Sequence, residues 1–298
     1  MRGLSSTFND HWTQPRLFYN SLEPVEQQFL INAIRFETSH LQSPVVKQNV
    51  LSQLNKVSND VAARVATALG MKAPQPDPTF YHDNSTTGIS ITNGSLPTIA
   101  TLRVGILATT STVTTTPGNG IGTTGGGGNS SSSAASRSMD QAKQLKQRFA
   151  ADGLVPVIVA ESLAEGVDRT YSAADATDFD TVVVTSGADD AGIFDFPSSS
   201  SSSSGSGSGS SSLSLASLYP PMRPLQIANN AFNFGKPVAY FGAETPSKML
   251  KAAGFVPGTG SNRAANGVFV GSDLDQTVSE IEDGLRVFKF TARFPLDS

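Results

Sequence analysis

The sequence has no cysteine among its 298 residues. That absence removes disulfides, thiolate metal sites and thiol nucleophiles together. It leaves the compartment open, because a chain this long can bury a core without covalent staples. Histidine is scarce as well: His11, His40 and His82 are the three in the chain. They are too few for a metal cluster or a triad and read as surface or packing residues. No run of about 18 apolar residues marks a membrane span. Basic blocks are missing too, and 21 Lys+Arg against 25 Asp+Glu give a net charge of -4, which argues against nucleic-acid binding. No apolar leader follows Met1, so a secretion signal would have to lie outside this sequence.

What is present divides into three parts. Residues 1–72 begin with an arm holding Trp12, Leu17, Phe18 and Tyr19, without a clear period and therefore expected to be extended. Three short amphipathic helices follow. The first opens at Ser21-Leu22-Glu23-Pro24, with Ser21 as the cap, and the second at Ser43-Pro44; the third is capped by Ser58 or Asn59 and stopped by Gly70. Residues 73–98 are rich in Pro, Asn, Gly and Thr, the chemistry of a linker with turns. Residues 99–298 alternate short Val/Ile-rich runs with helical periods: strands near 102–107, 155–159, 181–184, 237–241 and 268–270, helices near 138–151, 225–234, 245–253 and 274–288. Such alternation predicts an α/β, doubly wound, mainly parallel flavodoxin-like sheet of about five strands in the order 2-1-3-4-5. Two Ser/Gly tracts, near 118–136 and 198–212, interrupt it after the first and third strands and are predicted to be surface loops.

The junction GKPVAYFGAETPSKMLKAAG, Gly235 to Gly254, reads as strand, tight turn and helix, the geometry on which an exposed nucleophile sits in α/β hydrolases. Its apical residue is Gly242, followed by Ala243 and Glu244; the turn is present and the reactive atom is not. Glu244 is expected at the start of the next helix, complementing its dipole. Asp178, Asp180, Asp189, Asp190 and Asp195 read as turn and cap chemistry, and Ser186 and Ser247 have no histidine base beside them. The Gly-rich segment 118–128 is separated from its strand by about ten residues, which disqualifies it as a dinucleotide fingerprint. Arg16-Leu17-Phe18-Tyr19 is similar to the Arg-x-x-x-Tyr haem-ligand motif but one residue short.

QPRLFYNSLEPVEQQFLINAIRFETSHL closely resembles the segment that follows the β-barrel in monofunctional haem catalases. With TYSAADATDFDTVVVTSGA and GKPVAYFGAE, the whole chain resembles the C-terminal portion of a large-subunit catalase of fungal type. The resemblance implies a parent that dismutates hydrogen peroxide with haem in a tetramer. It also implies that this chain holds no haem, since the barrel lies upstream. The α/β part is similar to the glutamine amidotransferase-like superfamily, whose cysteine nucleophile aligns with Gly242. The reading that follows is a noncatalytic domain that stabilises catalase subunits and acts as a chaperone for unfolding proteins, with Trp12, Leu17, Phe18 and Tyr19 as interaction surface. The alternative is a small-molecule module or residual hydrolase at Gly242. Three sequons, at Asn84, Asn93 and Asn129, fall in predicted loops, a placement that suits a secreted parent.

Overall fold

A computed structural model describes residues 6–110, 129–195, 219–220, 222–258 and 266–297. The chain divides into two compact units, Met1–Gly94 with Phe294–Ser298, and Ser95–Arg293.

In the first unit the helices are α1 (Thr13–Asn20), α2 (Pro24–Ser39), α3 (Pro44–Val57) and α4 (Asn59–Ala68). The segment expected to be an extended arm is thus helical over two turns. It buries Arg16 and Tyr19 at i, i+3 spacing, a stripe too short to register as a period and half made by a charged residue. Helix α2 is capped by Glu23 rather than Ser21, in a reciprocal capping box with Glu26; the Ser21 hydroxyl instead donates to the Leu17 carbonyl. Ser43 and Ser58 are the N-cap residues of α3 and α4, as the sequence suggested. Tyr19, Ile31, Leu51, Val61 and Val65 form the core of this unit.

Residues 73–94 carry neither helix nor strand, yet they are tied down. Asn55 and Asn59 donate to the carbonyls of Gln75 and Pro74, Asn20 donates to that of His82, and Glu26 accepts from the Ile91 N–H. Residues 294–297 return to the same helices. Phe294 meets Phe29 edge-on at 4.9 Å, and Asp297 pairs with Arg35 at 2.5 Å.

The second unit contains β1 (Arg103–Leu107), α5 (Asn129–Ala151), β2 (Val155–Ala160), β3 (Arg169–Thr170), β4 (Thr181–Thr185), α6 (Ser186–Asp190), α7 (Arg223–Asn233), β5 (Val238–Phe241), α8 (Lys248–Ala252), β6 (Val268–Gly271) and α9 (Leu274–Val287). All pairings are parallel and the order is β3-β2-β1-β4-β5-β6. Its five main strands follow the expected order 2-1-3-4-5; the two-residue β3 is an addition too short to leave a pattern in the sequence.

Because successive strand side chains point to opposite faces, Val104, Ile106, Val183, Ala239 and Phe269 meet α5 and α9 through Leu145, Phe149, Ile281 and Leu285. Leu107, Val182, Val184, Val238, Tyr240 and Val268 face α7 and α8 through Ile227, Ala231 and Leu250. This is a three-layer α/β sandwich.

Helix α5 begins nine residues before the predicted start, so residues 129–136, expected as surface loop, are helical and the Asn129 sequon lies on a helix. Small residues explain this. Ala134 and Ala135 are buried, and a Cβ at Gly187 would stand 2.4 Å from the Ser138 nitrogen and 2.6 Å from the Ala134 carbonyl oxygen. Helices α5 and α6 touch through their backbones, which only small side chains permit. The rest of the two Ser/Gly tracts, 118–128 and 198–212, lies outside the described residues.

Candidate functional site

The turn after β5 is present at Gly242, and the helix that follows begins at Lys248, three residues later than the sequence suggests. Gly242 has φ +103°, the left-handed region that a nucleophile elbow demands and that L residues enter at a cost of about 1–2 kcal/mol. Its amide donates to the Gly271 carbonyl at 2.9 Å, which fixes the turn against the end of β6.

The position a side chain would occupy is filled. A Cβ on Gly242 would lie 1.9 Å from Gln141 Nε2 and 2.6 Å from Ser186 Oγ. Gln141 projects from the inner face of α5 and is buried. Its Nε2 donates to Ser186 Oγ at 2.9 Å, and its Oε1 accepts the Gly187 N–H at 3.1 Å. One side chain thus spans from α5 to the start of α6 and covers the elbow.

The neighbouring switch point between β1 and β4, where ligands bind in sheets of this topology, carries a polar network among the described residues. The Thr109 N–H donates to Ser138 Oγ at 3.0 Å, Ser138 and Thr185 hydroxyls meet at 2.8 Å, and Thr185 donates to the Leu107 carbonyl at 3.1 Å. Glu161, at the end of β2 and 2% exposed, accepts from the Thr109 hydroxyl and from the Thr110 N–H at 3.0 Å. Among the described residues, these polar groups bond to one another.

Asp189 reaches the strand that leads into the turn. It accepts from Tyr240 Oη at 3.0 Å and from the Ser247 N–H at 2.8 Å. Burial pushes its carboxyl above the ordinary value, against the hydrogen bonds from Ser247 and Tyr240 that favour the anion. The second unit contains no histidine: all three lie in the first, His11 against Trp12 and His40 against Phe36. Glu244 is not at a helix start. It is exposed, accepts from the Ser272 hydroxyl at 3.2 Å, and leaves the capping of α8 to Ser247. Asp178 pairs with Arg169, Asp190 with Arg137, and Asp180 accepts the Arg103 N–H, in keeping with a turn-and-cap reading. Among the described residues no group of three or more His, Cys, Asp or Glu is placed to hold a metal ion.

The four aromatic and apolar residues of α1 and its approach separate into different environments. Phe18 is 46% exposed, whereas Tyr19 is buried, its hydroxyl donating to Asp60 at 3.0 Å. Tyr19 is therefore core rather than interaction surface, and it is not presented as a haem ligand. Trp12 is half-buried between Phe80 and the Lys56 ammonium, 4.1 Å from its ring centroid. Leu17 is half-buried.

Taken together, the second unit is a doubly wound domain whose turn after β5, at Gly242, is covered by the Gln141 amide. Residues 131–295 match the family model of the C-terminal domain found in long catalases, and residues 5–69 match the catalase-related immune-responsive family. The chain belongs to the long-catalase C-terminal family. It is 50% identical to Catalase-3 of Neurospora crassa over 99% of this chain and 34% of that protein. It is 42% identical to Catalase B of Emericella nidulans and 43% identical to Catalase B of Aspergillus fumigatus, over 100% of this chain and 35% and 36% of theirs. The chain thus spans about a third of the length of these curated relatives.

Proposed function

We propose that this region is a noncatalytic module of a large-subunit catalase, one that stabilises the subunits of a peroxide-dismutating parent and holds unfolding proteins as a chaperone. The observation that carries the noncatalytic part is the Gln141 side chain in the space above Gly242. A hydrolase needs that space for its nucleophile and a base beside it, and a small-molecule module needs it for ligand. The reading takes haem to belong to the parent's barrel and leaves this chain without a cofactor.

The chaperone part rests on apolar exposure in the helical unit: Phe8 is 60%, Phe18 46%, Phe36 66% and Val45 69% exposed, large side chains of the kind that mark interaction surfaces when they cluster. The test is light scattering of a heated client enzyme with and without the chain. Suppressed aggregation that weakens in the Phe18→Ser, Phe36→Ser double variant is the expected result; undiminished aggregation at stoichiometric amounts would sink the chaperone reading and leave the stabilising role standing.

A further inference from the structure

Residues 294–297 run Phe-Pro-Leu-Asp and belong to the helical unit, where they meet α2 and α4. Phe294 sits edge-on to Phe29, which remains 45% exposed beneath it. Asp297 pairs with Arg35 at 2.5 Å and with Arg64 at 3.5 Å, and its N–H donates to Gln28 Oε1 at 2.8 Å. Pro295 and Leu296, between these two residues, are exposed. The segment is thus held at its two ends and lies on the surface, attached as a ligand is rather than packed as core.

The groups that receive it are fixed by the helices themselves. Arg35 donates to the Arg64 carbonyl through Nη2 at 3.0 Å and Nε at 3.3 Å, and to Asn32 Oδ1 through Nη1 at 3.3 Å. Arg64 is held by Asp60 at 3.2 Å and by Gln28. Gln28 is 2% exposed and donates to Asn32 Oδ1 at 3.0 Å. With these bonds in place, two guanidiniums and a buried amide keep their positions whether or not the segment is bound, and a preorganised receptor lowers the ordering cost of binding. On the other side, Pro295 restricts Phe294 to extended backbone, which lowers the same cost. The Arg35 guanidinium, with Gln28 assisting, holds the Asp297 carboxyl below the ordinary value, so the segment presents an anion at neutral pH.

We infer that this face of α2 and α4 is a recognition site for a peptide segment carrying an aromatic residue three positions before an aspartate, with residues 294–297 as its resident, displaceable ligand. The aromatic ring settles against Phe29, the carboxylate meets two guanidiniums, and Gln28 reads the backbone N–H of the aspartate. Charge-assisted bonds to arginine supply geometric specificity, while the exposed middle leaves the intervening residues free to vary. The site stands apart from the chaperone reading, since it demands a defined sequence where a holdase surface takes any unfolded chain.

The test is fluorescence anisotropy of a dye-labelled Phe-Pro-Leu-Asp-Ser peptide with blocked ends, titrated with the full chain. The Phe294→Ser, Asp297→Lys double variant vacates the site and is expected to bind the peptide saturably. Wild type is expected to bind it at least about tenfold more weakly, because its own segment competes at a millimolar effective concentration. Adding Arg35→Glu to the double variant, or replacing the peptide's aspartate by asparagine, is expected to remove most of the binding. No saturable binding to the double variant up to millimolar concentrations would overturn the inference. Equal affinity for wild type, or for the asparagine peptide, would overturn it as well. Should the double variant fail to fold, the nitrogen-labelled wild-type chain decides by NMR: excess peptide is expected to shift the Asp297 amide signal as it leaves Gln28, and an indifferent signal would overturn the inference.

Discussion

Gly242→Ala is the perturbation that most directly probes the closed elbow. The new Cβ would have to sit 1.9 Å from Gln141 Nε2, 2.6 Å from Ser186 Oγ and 2.8 Å from Gln141 Cδ. Ser186 and Gln141 are both buried, so the amide has to leave its place. When it leaves, it gives up the bond to Ser186 and abandons the Gly187 N–H. A buried group left unsatisfied costs about 1–3 kcal/mol, and an L residue held at φ +103° costs about 1–2 kcal/mol more. The expected destabilisation is therefore about 2–5 kcal/mol.

Urea denaturation measures it, and a double-mutant cycle separates the parts. Gln141→Ala alone loses the two bonds, while Gln141→Ala with Gly242→Ala removes the clash. The pair is expected to fall short of the sum of the singles by about 1 kcal/mol or more. A Gly242→Ala variant within about 0.5 kcal/mol of wild type, or strict additivity, would refute the claim that Gln141 plugs the elbow. In the same position Gly242→Cys is expected to turn over no peptide substrate, because the second unit supplies no histidine to activate a thiol; measurable turnover would contradict this.

Gly187→Ala would drive a Cβ into the α5 backbone and is expected to cost about 3 kcal/mol, the upper end for overpacking, read as a fall in the denaturation midpoint. Glu282 is pushed up to about 7, chiefly by burial and then by the Asp152 carboxyl beside it. A carboxyl whose folded value is raised stabilises the fold when protonated and loses that contribution as pH rises from its unfolded value near 4.3 towards 7. Glu282→Gln is thus expected to raise the melting temperature at pH 7.5 and to match wild type at pH 4.5. Because Glu282 is only part-buried, the gain is at most about 1 kcal/mol; equal melting temperatures at both pH values would contradict it. Phe294→Ala, which removes the edge-on contact with Phe29, is expected to cost the helical unit about 1 kcal/mol, checked by loss of amide-exchange protection in α2.

The sheet was legible because its strands are short, rich in β-branched or aromatic residues and buried on both faces, as in Thr181–Thr185 and Val238–Phe241, so composition and position said the same thing. Helix α1 was illegible for the opposite reason: its buried stripe is Arg16 and Tyr19, and no apolar period includes an arginine. The first turns of α5 were hidden by serine. A Ser-rich stretch looks unable to bury surface, yet at Ala134 and Ala135 burial is achieved by backbone approach to Gly187, which rewards small residues rather than large ones. Capping by Glu23 was masked by a more conventional candidate two residues earlier, and only the reciprocal bonds between Glu23 and Glu26 distinguish them.

Gln141 is the residue whose role was least visible, although the sequence held a trace of it. On α5 the inward positions run Ser138, Gln141, Ala142, Leu145 and Phe149, and a glutamine on a face otherwise small or apolar requires a buried partner. What the sequence cannot say is that the partners are Ser186 and the Gly187 amide, some 45 residues on, or that the amide ends above Gly242, a hundred residues on. The vacant apex therefore reads differently in sequence and in space. In sequence it is an elbow that lacks its nucleophile. In space, glycine at 242 and glutamine at 141 are two halves of one arrangement: the glycine is needed because the amide is there, and the amide stays because no Cβ displaces it. Removing Gln141 alone opens the space without supplying a nucleophile, and a side chain at 242 alone meets the amide.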